Sequence, residues 1–320
     1  MCIALLSTAH PDYPLILLSN RDEFLNRPTA PADWWEEPNH HVLGGRDLQR
    51  KERGTWLGIT KQGRLAVLTN FREEGVEVAR DKSRGGIVNA YLTVSPDQAE
   101  SDDSFARRLV EDVGVHDVGG FSLVFGSVKP TEFGSPHGLS ILSNRTSSAE
   151  GMIKLATKEG ETHGLSNSHY GDLTWPKVVY GEQLLKQAVK ANIDRGDPEQ
   201  YFIASLFDIL SIDTLPRRKG GEDWTTYVRQ MRNSVLIPPV GGEAVERKSG
   251  DKIASAKGTD TPDHSKVNVG GGIYGTQKQT VVLVDKTGHV KFMERTLYDE
   301  KAHPVDSKDG ERTFAFEIEV

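Results

Sequence analysis

The sequence predicts an α+β protein in which sheets pack on one another and helices group on the outside. Three observations point there. Strand-like runs come in pairs about tight turns, as antiparallel hairpins do. Helical stretches fall in blocks between blocks of strands, without the strand-by-strand alternation of a parallel βαβ sheet. The run Leu15-Ile16-Leu17-Leu18 is apolar on both alternating faces, as a strand buried between layers must be.

Each element follows from local signals. Cys2 to Thr8 and Leu15 to Asn20 read as two strands joined by the turn His10-Pro11-Asp12-Tyr13-Pro14. Gly54 to Ile59 and Arg64 to Thr69 form a hairpin around Lys61-Gln62-Gly63. Ser83-Arg84-Gly85-Gly86 leads into a helix over Ile87 to Leu92, and Phe105 to Val113 has helical spacing too. Strand patterns return at Phe121 to Val128 and Leu139 to Ser143, with a weaker one near Met152. Thr174-Trp175-Pro176 opens a long helix: threonine caps, proline suits the first turn, and Val178, Leu185, Ala188 and Asn192 continue the stripe. Pro198 to Leu210 and Trp224 to Arg232 follow as helices. Residues 241–272 lose their apolar content, which predicts a flexible loop inside one domain spanning 1–320. Thr280 to Asp285 and Val290 to Thr296 make a hairpin about Lys286-Thr287-Gly288, and Phe314 to Val320 ends the sequence as a strand.

Composition removes several function classes. The formal net charge of −7 argues against non-specific nucleic-acid binding, which needs a basic surface for phosphates. A single cysteine excludes an intramolecular disulfide framework. No run approaches the ~20 apolar residues of a membrane span. The start lacks the basic n-region and small-residue cleavage site expected of a secretory signal, and Asp12, Asp22 and Glu23 come too early for a transit peptide. The expected setting is the cytoplasm, at most peripheral to a membrane, with no metal and no cofactor.

That single cysteine is Cys2. A buried packing role is one reading, since free cysteine behaves as a small hydrophobe. The other is that removal of Met1 makes it the amino terminus, joining a thiol nucleophile and an amine base in one residue. Leu18-Ser19-Asn20, Leu68-Thr69-Asn70, Leu142-Ser143-Asn144 and Leu165-Ser166-Asn167 repeat one pattern, an asparagine closing a strand-like run. Asparagine suits strand ends for conformational reasons; four amides can also converge on a pocket that receives an oxyanion. In the run Ser19 to Phe24, Arg21 and Glu23 share one strand face and Asn20 and Asp22 the other. The hairpin brings this end beside Cys2, where an arginine favours the thiolate and a carboxylate holds a terminal amine.

Met1 to Leu6, Ser19 to Phe24, Gly54 to Ile59, Leu68 to Glu73, Leu165 to Val178 and Tyr274 to Asp285 together resemble the NRDE family, also called the transport and Golgi organisation protein 2 family. The tetrapeptide Asn20-Arg21-Asp22-Glu23 is complete, and the matches run in order from residue 2 to about residue 296. The resemblance implies a four-layer αββα sandwich of N-terminal-nucleophile hydrolase type, similar to the choloylglycine hydrolase and penicillin V acylase group. Carried over by position, it implies Cys2, Arg21, Asp22, Glu23, Asn70 and Asn167 as catalytic residues. It also implies a ligand-binding rim of Asn20, Arg21, Asp22, Glu23 and Arg72. In those amidases the acid stands three residues after the arginine, a place held here by Phe24, and Arg295 is the nearest candidate for their late arginine. The family's biology implies Golgi organisation and secretion, mitochondria, and handling of acyl lipids, acyl-CoA or haem; His10, His40 and His41 are the candidate haem ligands, with solvated loop histidines as the plainer reading. A carrier or trafficking role, with a small-molecule or lipid ligand, stands first. A cysteine-dependent amidohydrolase or acyltransferase is the alternative.

Overall fold

The structure, a computed structural model, describes residues 1–71, 84–98, 100–115, 118–129, 138–218, 224–241 and 272–319. In chain order the strands begin β1 (Ile3–Ser7), β2 (Leu15–Phe24), β3 (Thr29–Trp34), β4 (Val42–Asp47), β5 (Leu57–Thr60) and β6 (Arg64–Asn70). Helices α1 (Arg84–Leu92) and α2 (Asp102–Arg107) follow, α2 running on as a wider π-type turn over Arg108–Val113. Then come β7 (Phe121–Ser127), β8 (Leu139–Ser143), β9 (Ile153–Leu155) and β10 (Thr162–Leu165). The helices α3 (Pro176–Arg195), α4 (Glu199–Leu210) and α5 (Trp224–Gln230) lead to β11 (Val240–Gly241) and β12 (Ile273–Val284). Strand β13 (His289–Thr296), helix α6 (Ser307–Gly310) and strand β14 (Glu311–Glu317) complete the described elements.

The strands form two antiparallel sheets. One has the order β10-β1-β2-β12-β13-β14, with β11 added beside β12; the other runs β3 to β9 in chain order. Period-two alternation sorts each strand between two cores. On β2, Leu15 and Leu17 face the other sheet, meeting Leu43, Val67 and Val124 in the inner core. Ile16 and Leu18 face outward, beneath Leu185 and Val189 of α3 and Phe202 and Leu206 of α4. The second sheet's outer face, with Ala66, Leu68 and Phe125, is covered by Val88 and Tyr91 of α1 and Phe105 of α2. Helices outside, two sheets inside: the expected α+β layering is what the packing gives.

Several local expectations change. Strands β3 and β4 are not legible in the sequence. Strand β3 holds Pro31 and an irregular register between Ala30 and Asp33, tolerable because it is an edge strand. Strand β4 carries Gly44 and Gly45; a methyl on Gly44 would lie 2.6 Å from the Leu57 carbonyl oxygen, so only glycine allows that approach. The helix predicted over Phe105 to Val113 is the short α2 with its π-type extension, and the last strand begins earlier, at Glu311. Thr174 does not cap α3. Its hydroxyl donates to Asp172 Oδ1 at 2.7 Å, and Pro176 opens the helix after Trp175. The C-terminus of α3 ends on Gly196 at φ 63°, a left-handed residue whose N–H returns to the Asn192 carbonyl. The predicted flexible loop 241–272 lies, over 242–271, outside the described residues, as does Arg72.

Candidate active site

Strand pairing assembles the site. Ile3 pairs with Asn20, Ala4 with Leu165, and Arg21 with Lys278. Extending these registers by one or two residues sets Asn167, Cys2, Arg21 and Lys278 side by side on β10, β1, β2 and β12. All face the second sheet. The next row, on the outer face, sets Met1 beside Asp22 and Thr276. Strand β12 carries one extra residue opposite Arg21 and Asp22, and this bulge frees Gln277 to turn toward Arg21.

The inner row is anchored by Arg21, which is 5% exposed. Its NH1 donates to Gln277 Oε1 at 2.6 Å, its NH2 lies 3.6 Å from Asp47 Oδ2, and its guanidinium sits 4.6 Å from the Trp56 ring centre. Asp47 also holds Arg27 at 2.5 Å, and Glu23 lies 3.9 Å from that same Arg27. The Cys2 sulfur rests against the Asp22 backbone, accepting from its N–H at 3.4 Å and lying 3.6 Å from its carbonyl oxygen. Ser166 Oγ donates to the Cys2 carbonyl at 2.6 Å, and the Asn167 amide donates to the Asn70 carbonyl. Among the described residues, the buried Asn70 Oδ1 and Thr69 Oγ1, at the end of β6, have no hydrogen-bond partner.

The outer row holds buried charge. The Met1 ammonium lies 3.2 Å from Asp22 Oδ2 and donates to the Tyr274 hydroxyl. Thr276 donates to Asp22 Oδ1 at 2.7 Å, and the Tyr274 hydroxyl donates to the Asp22 carbonyl at 3.1 Å. Lys177, fully buried on α3, donates to the Met1 carbonyl and stands 4.0 Å from Asp22 Oδ2.

Burial dominates the titration of this cluster. It pushes the Cys2 thiol up, outweighing the pull of the N-terminal ammonium and the smaller pull of Arg21. Arg21 does favour the thiolate, as expected, but by less than dehydration disfavours it, so the thiol keeps its proton. Burial likewise lowers the Met1 amine and Lys177, each partly held up by Asp22. It raises the Tyr274 phenol, which stays protonated.

Cys2, Arg21 and Asp22 thus come together, with Asn167 and Asn70 linked to them through β10 and β6. Glu23 lies on the Arg21 face but points to Arg27 and to its own neighbour's N–H, Phe24, at 2.9 Å. Asn20 is not at the rim: it is fully buried on the outer face, its amide donating to the Leu210 and Val235 carbonyls at 2.8 and 3.0 Å. Arg295 lies apart, over the Phe207 ring and paired with Glu311 at 3.1 Å. His10 has both ring nitrogens engaged, with Asn192 at 3.0 Å and the Asp12 N–H at 3.1 Å, which leaves neither for iron. His40 pairs with Glu37 at 3.0 Å, and His41 is buried.

Lys177, Tyr274, Thr276, Asp47 and Trp56 were not found from the sequence. Only Lys177 carried a signal: a lysine in the first turn of a helix opposes the helix dipole and calls for a reason.

The profile of the Transport and Golgi organisation 2 family matches residues 1–299. The human transport and Golgi organization protein 2 homolog is 30% identical over 298 residues, covering 90% of this chain and 88% of that protein. The Bos taurus homolog is 31% identical over 286 residues, covering 89% of this chain and 87% of that one. Among solved structures, penicillin V acylase from Agrobacterium tumefaciens overlays with a TM-score of 0.39 at 13% identity, covering 99% of this chain and 86% of that chain.

Proposed function

The chain belongs to the Transport and Golgi organisation 2 family, and from that premise we propose an acyl-handling protein whose Cys2 thiol, in the chain that begins at Cys2, cleaves acyl amide or thioester bonds. The observation that carries this reading is the arrangement about Asp22: the Cys2 sulfur on its backbone, the Met1 α-ammonium on its carboxylate, and Arg21 as cross-strand neighbour of Cys2. Loss of Met1 makes the α-amine part of Cys2 itself. The helix-covered pair of face-to-face sheets supports assigning the fold to the four-layer N-terminal-nucleophile hydrolase type.

The chemistry then balances with this chain's own groups. The α-amine takes the thiol proton and the sulfur attacks the acyl carbon. The developing oxyanion is received by the Asn167 amide at the end of β10, beside Asn70. Collapse breaks the bond to the leaving amine or thiol, which departs with the proton from the α-ammonium. Water, activated by the same amine, hydrolyses the acyl-cysteine. Asp22 orients the amine, and the positive charge of Arg21 beneath the site favours an acidic head group such as a phosphate or carboxylate.

A second reading has its own observation. The half-buried thiol, held in its protonated form, suits a carrier that holds an acyl chain, acyl-CoA or haem without turnover. Either activity would serve Golgi or mitochondrial membranes from the cytoplasmic side, as a peripheral protein.

The deciding comparison sets wild-type chain beginning at Cys2, its mass verified, against Cys2→Ala and a Met1-retaining form. Hydrolysis of long-chain acyl amides and thioesters and affinity for acyl-CoA and haem are measured for each. We expect hydrolysis to drop by about 10²-fold or more in both altered forms, with acyl-CoA affinity kept. An inactive wild-type chain that still binds acyl-CoA or haem would establish the carrier reading instead.

A further inference from the structure

We propose that Thr69 belongs to the opposite wall of the candidate site, where its hydroxyl donates to the carbonyl oxygen of a bound acyl group and so distinguishes an acyl ligand from an alkyl one. This rests on the preceding reading that the site takes an acyl compound, whether it is turned over or only held.

Both sheets change character at the same end. On β6, Leu65 and Val67 point into the inner core, and the period of two puts Thr69 next on that face. On β7, Val124 does the same, with Ser122 next. Cross-strand register joins Thr69 to Ser122 and Ser122 to Ser143, a row of hydroxyls that follows the apolar row of Val67, Val124 and Ile141. On the facing sheet, Ala4 gives way to Cys2, and Leu17 to Ser19 and Arg21. The two ends meet. Strand β1 approaches β6 across the sandwich, the Asn167 amide donates to the Asn70 carbonyl next to Thr69, and Ser122 Oγ donates to the Ser168 carbonyl at 3.4 Å.

Within that row Thr69 is the unspent member. Ser122 has the Ser168 carbonyl, and Ser143 Oγ accepts from the Arg145 N–H at 3.2 Å. Thr69 is 1% exposed, and among the described residues its Oγ1 has no hydrogen-bond partner. A dehydrated hydroxyl without a partner destabilises a fold, and valine would match its shape without that cost. The hydroxyl gains its partner when a ligand enters between the sheets.

The neighbouring groups define that partner. The Asn70 and Ser168 carbonyl oxygens already accept, from Asn167 and Ser122. What Thr69 has to give is a donor, so the ligand atom that fits is an acceptor. A carbonyl oxygen has two lone pairs, and the Asn167 amide keeps a second N–H after serving Asn70. One acyl oxygen between the sheets thus meets both donors. An alkyl ligand of the same length would leave the Thr69 hydroxyl stranded, and a site built to hydrogen-bond its ligand discriminates against such an analogue.

The test removes the carbonyl and the hydroxyl in turn. Affinities are measured in the full chain carrying Cys2→Ala, so that turnover does not intrude. The probes are palmitoyl-CoA and S-hexadecyl-CoA, a thioether that lacks only the carbonyl oxygen. We expect addition of Thr69→Val to weaken palmitoyl-CoA binding about tenfold, to leave thioether binding unchanged, and to keep or raise the urea midpoint. Thr69→Ser should retain the preference for palmitoyl-CoA. No loss, or equal loss for both probes, overturns the inference. So does a lower urea midpoint in Thr69→Val, because the hydroxyl is then satisfied within the fold, as by a buried water. A Thr69-dependent preference in a protein whose Cys2 form shows no hydrolysis leaves this inference standing and removes the hydrolase reading. Hydrolysis without that preference does the reverse. Binding of neither probe also overturns the inference, while hydrolysis of acyl amides would still keep the hydrolase reading.

Discussion

Arg21 is held by contacts of unequal strength, and their sum sets what its loss would do. The hydrogen bond to Gln277 is short and charge-assisted, whereas the Asp47 contact at 3.6 Å is an ion pair shared with Arg27. Arg21→Ala therefore strands no buried carboxylate, because Asp47 keeps its 2.5 Å partner. The expected loss is about 2–3 kcal/mol, the scale of a charge-assisted hydrogen bond with some cation–π contribution from Trp56. That is less than the ~3–5 kcal/mol of a broken buried pair. A urea denaturation curve measures it. A midpoint equal to wild type would mean that these contacts contribute nothing net.

At the scale of elements, Asn20 ties β2 to the end of α4 and to the segment after α5. Its amide bridges the Leu210 and Val235 carbonyls, which belong to strand-distant parts of the chain. Asn20→Ala would leave two buried carbonyls without donors and is expected to lower stability by about 2–4 kcal/mol. Asn20→Asp should be worse, since a carboxylate would face both carbonyl oxygens. Below the unfolding transition neither change is expected to weaken acyl-CoA binding, because the side chain points away from the Cys2 face. Loss of binding in a folded Asn20→Ala protein would return Asn20 to the rim. The asparagine pattern was visible in the sequence, yet only sheet register separates Asn20 from Asn167: one turns to the helices, the other to the inner face.

For the whole molecule, the pH dependence of stability carries a signature from His41. It is 4% exposed at the entry to β4, and burial pushes its imidazole below the ordinary value. The unfolded chain therefore binds this proton at a higher pH than the folded one. The contribution is fully present above about pH 6.5 and is lost as pH falls from there through the folded value. Urea midpoints at pH 7.0 and 5.5 should differ in wild type, and the difference should shrink in His41→Gln. An equal fall in both proteins would assign the acid sensitivity to other groups.

What the sequence by itself determined is local. Apolar alternation and turn residues defined β1, β2 and their hairpin, and with them the neighbourhood of Cys2, Arg21 and Asp22, because about twenty residues of antiparallel register decide who faces whom. The two-sided apolar character of β2 likewise announced a strand between layers. Strands β3 and β4 were hidden because an edge proline and a glycine pair erase the alternation that marks a strand. The tertiary structure decided the rest of the site. Gln277 reaches Arg21 through a bulge in a strand 256 residues away, and Lys177 meets Asp22 from a helix that covers the opposite face. It also decided the state of the thiol. Proximity to Arg21 follows from register, but dehydration depends on what packs around the sulfur, and here it outweighs the pull of the N-terminal ammonium and of Arg21.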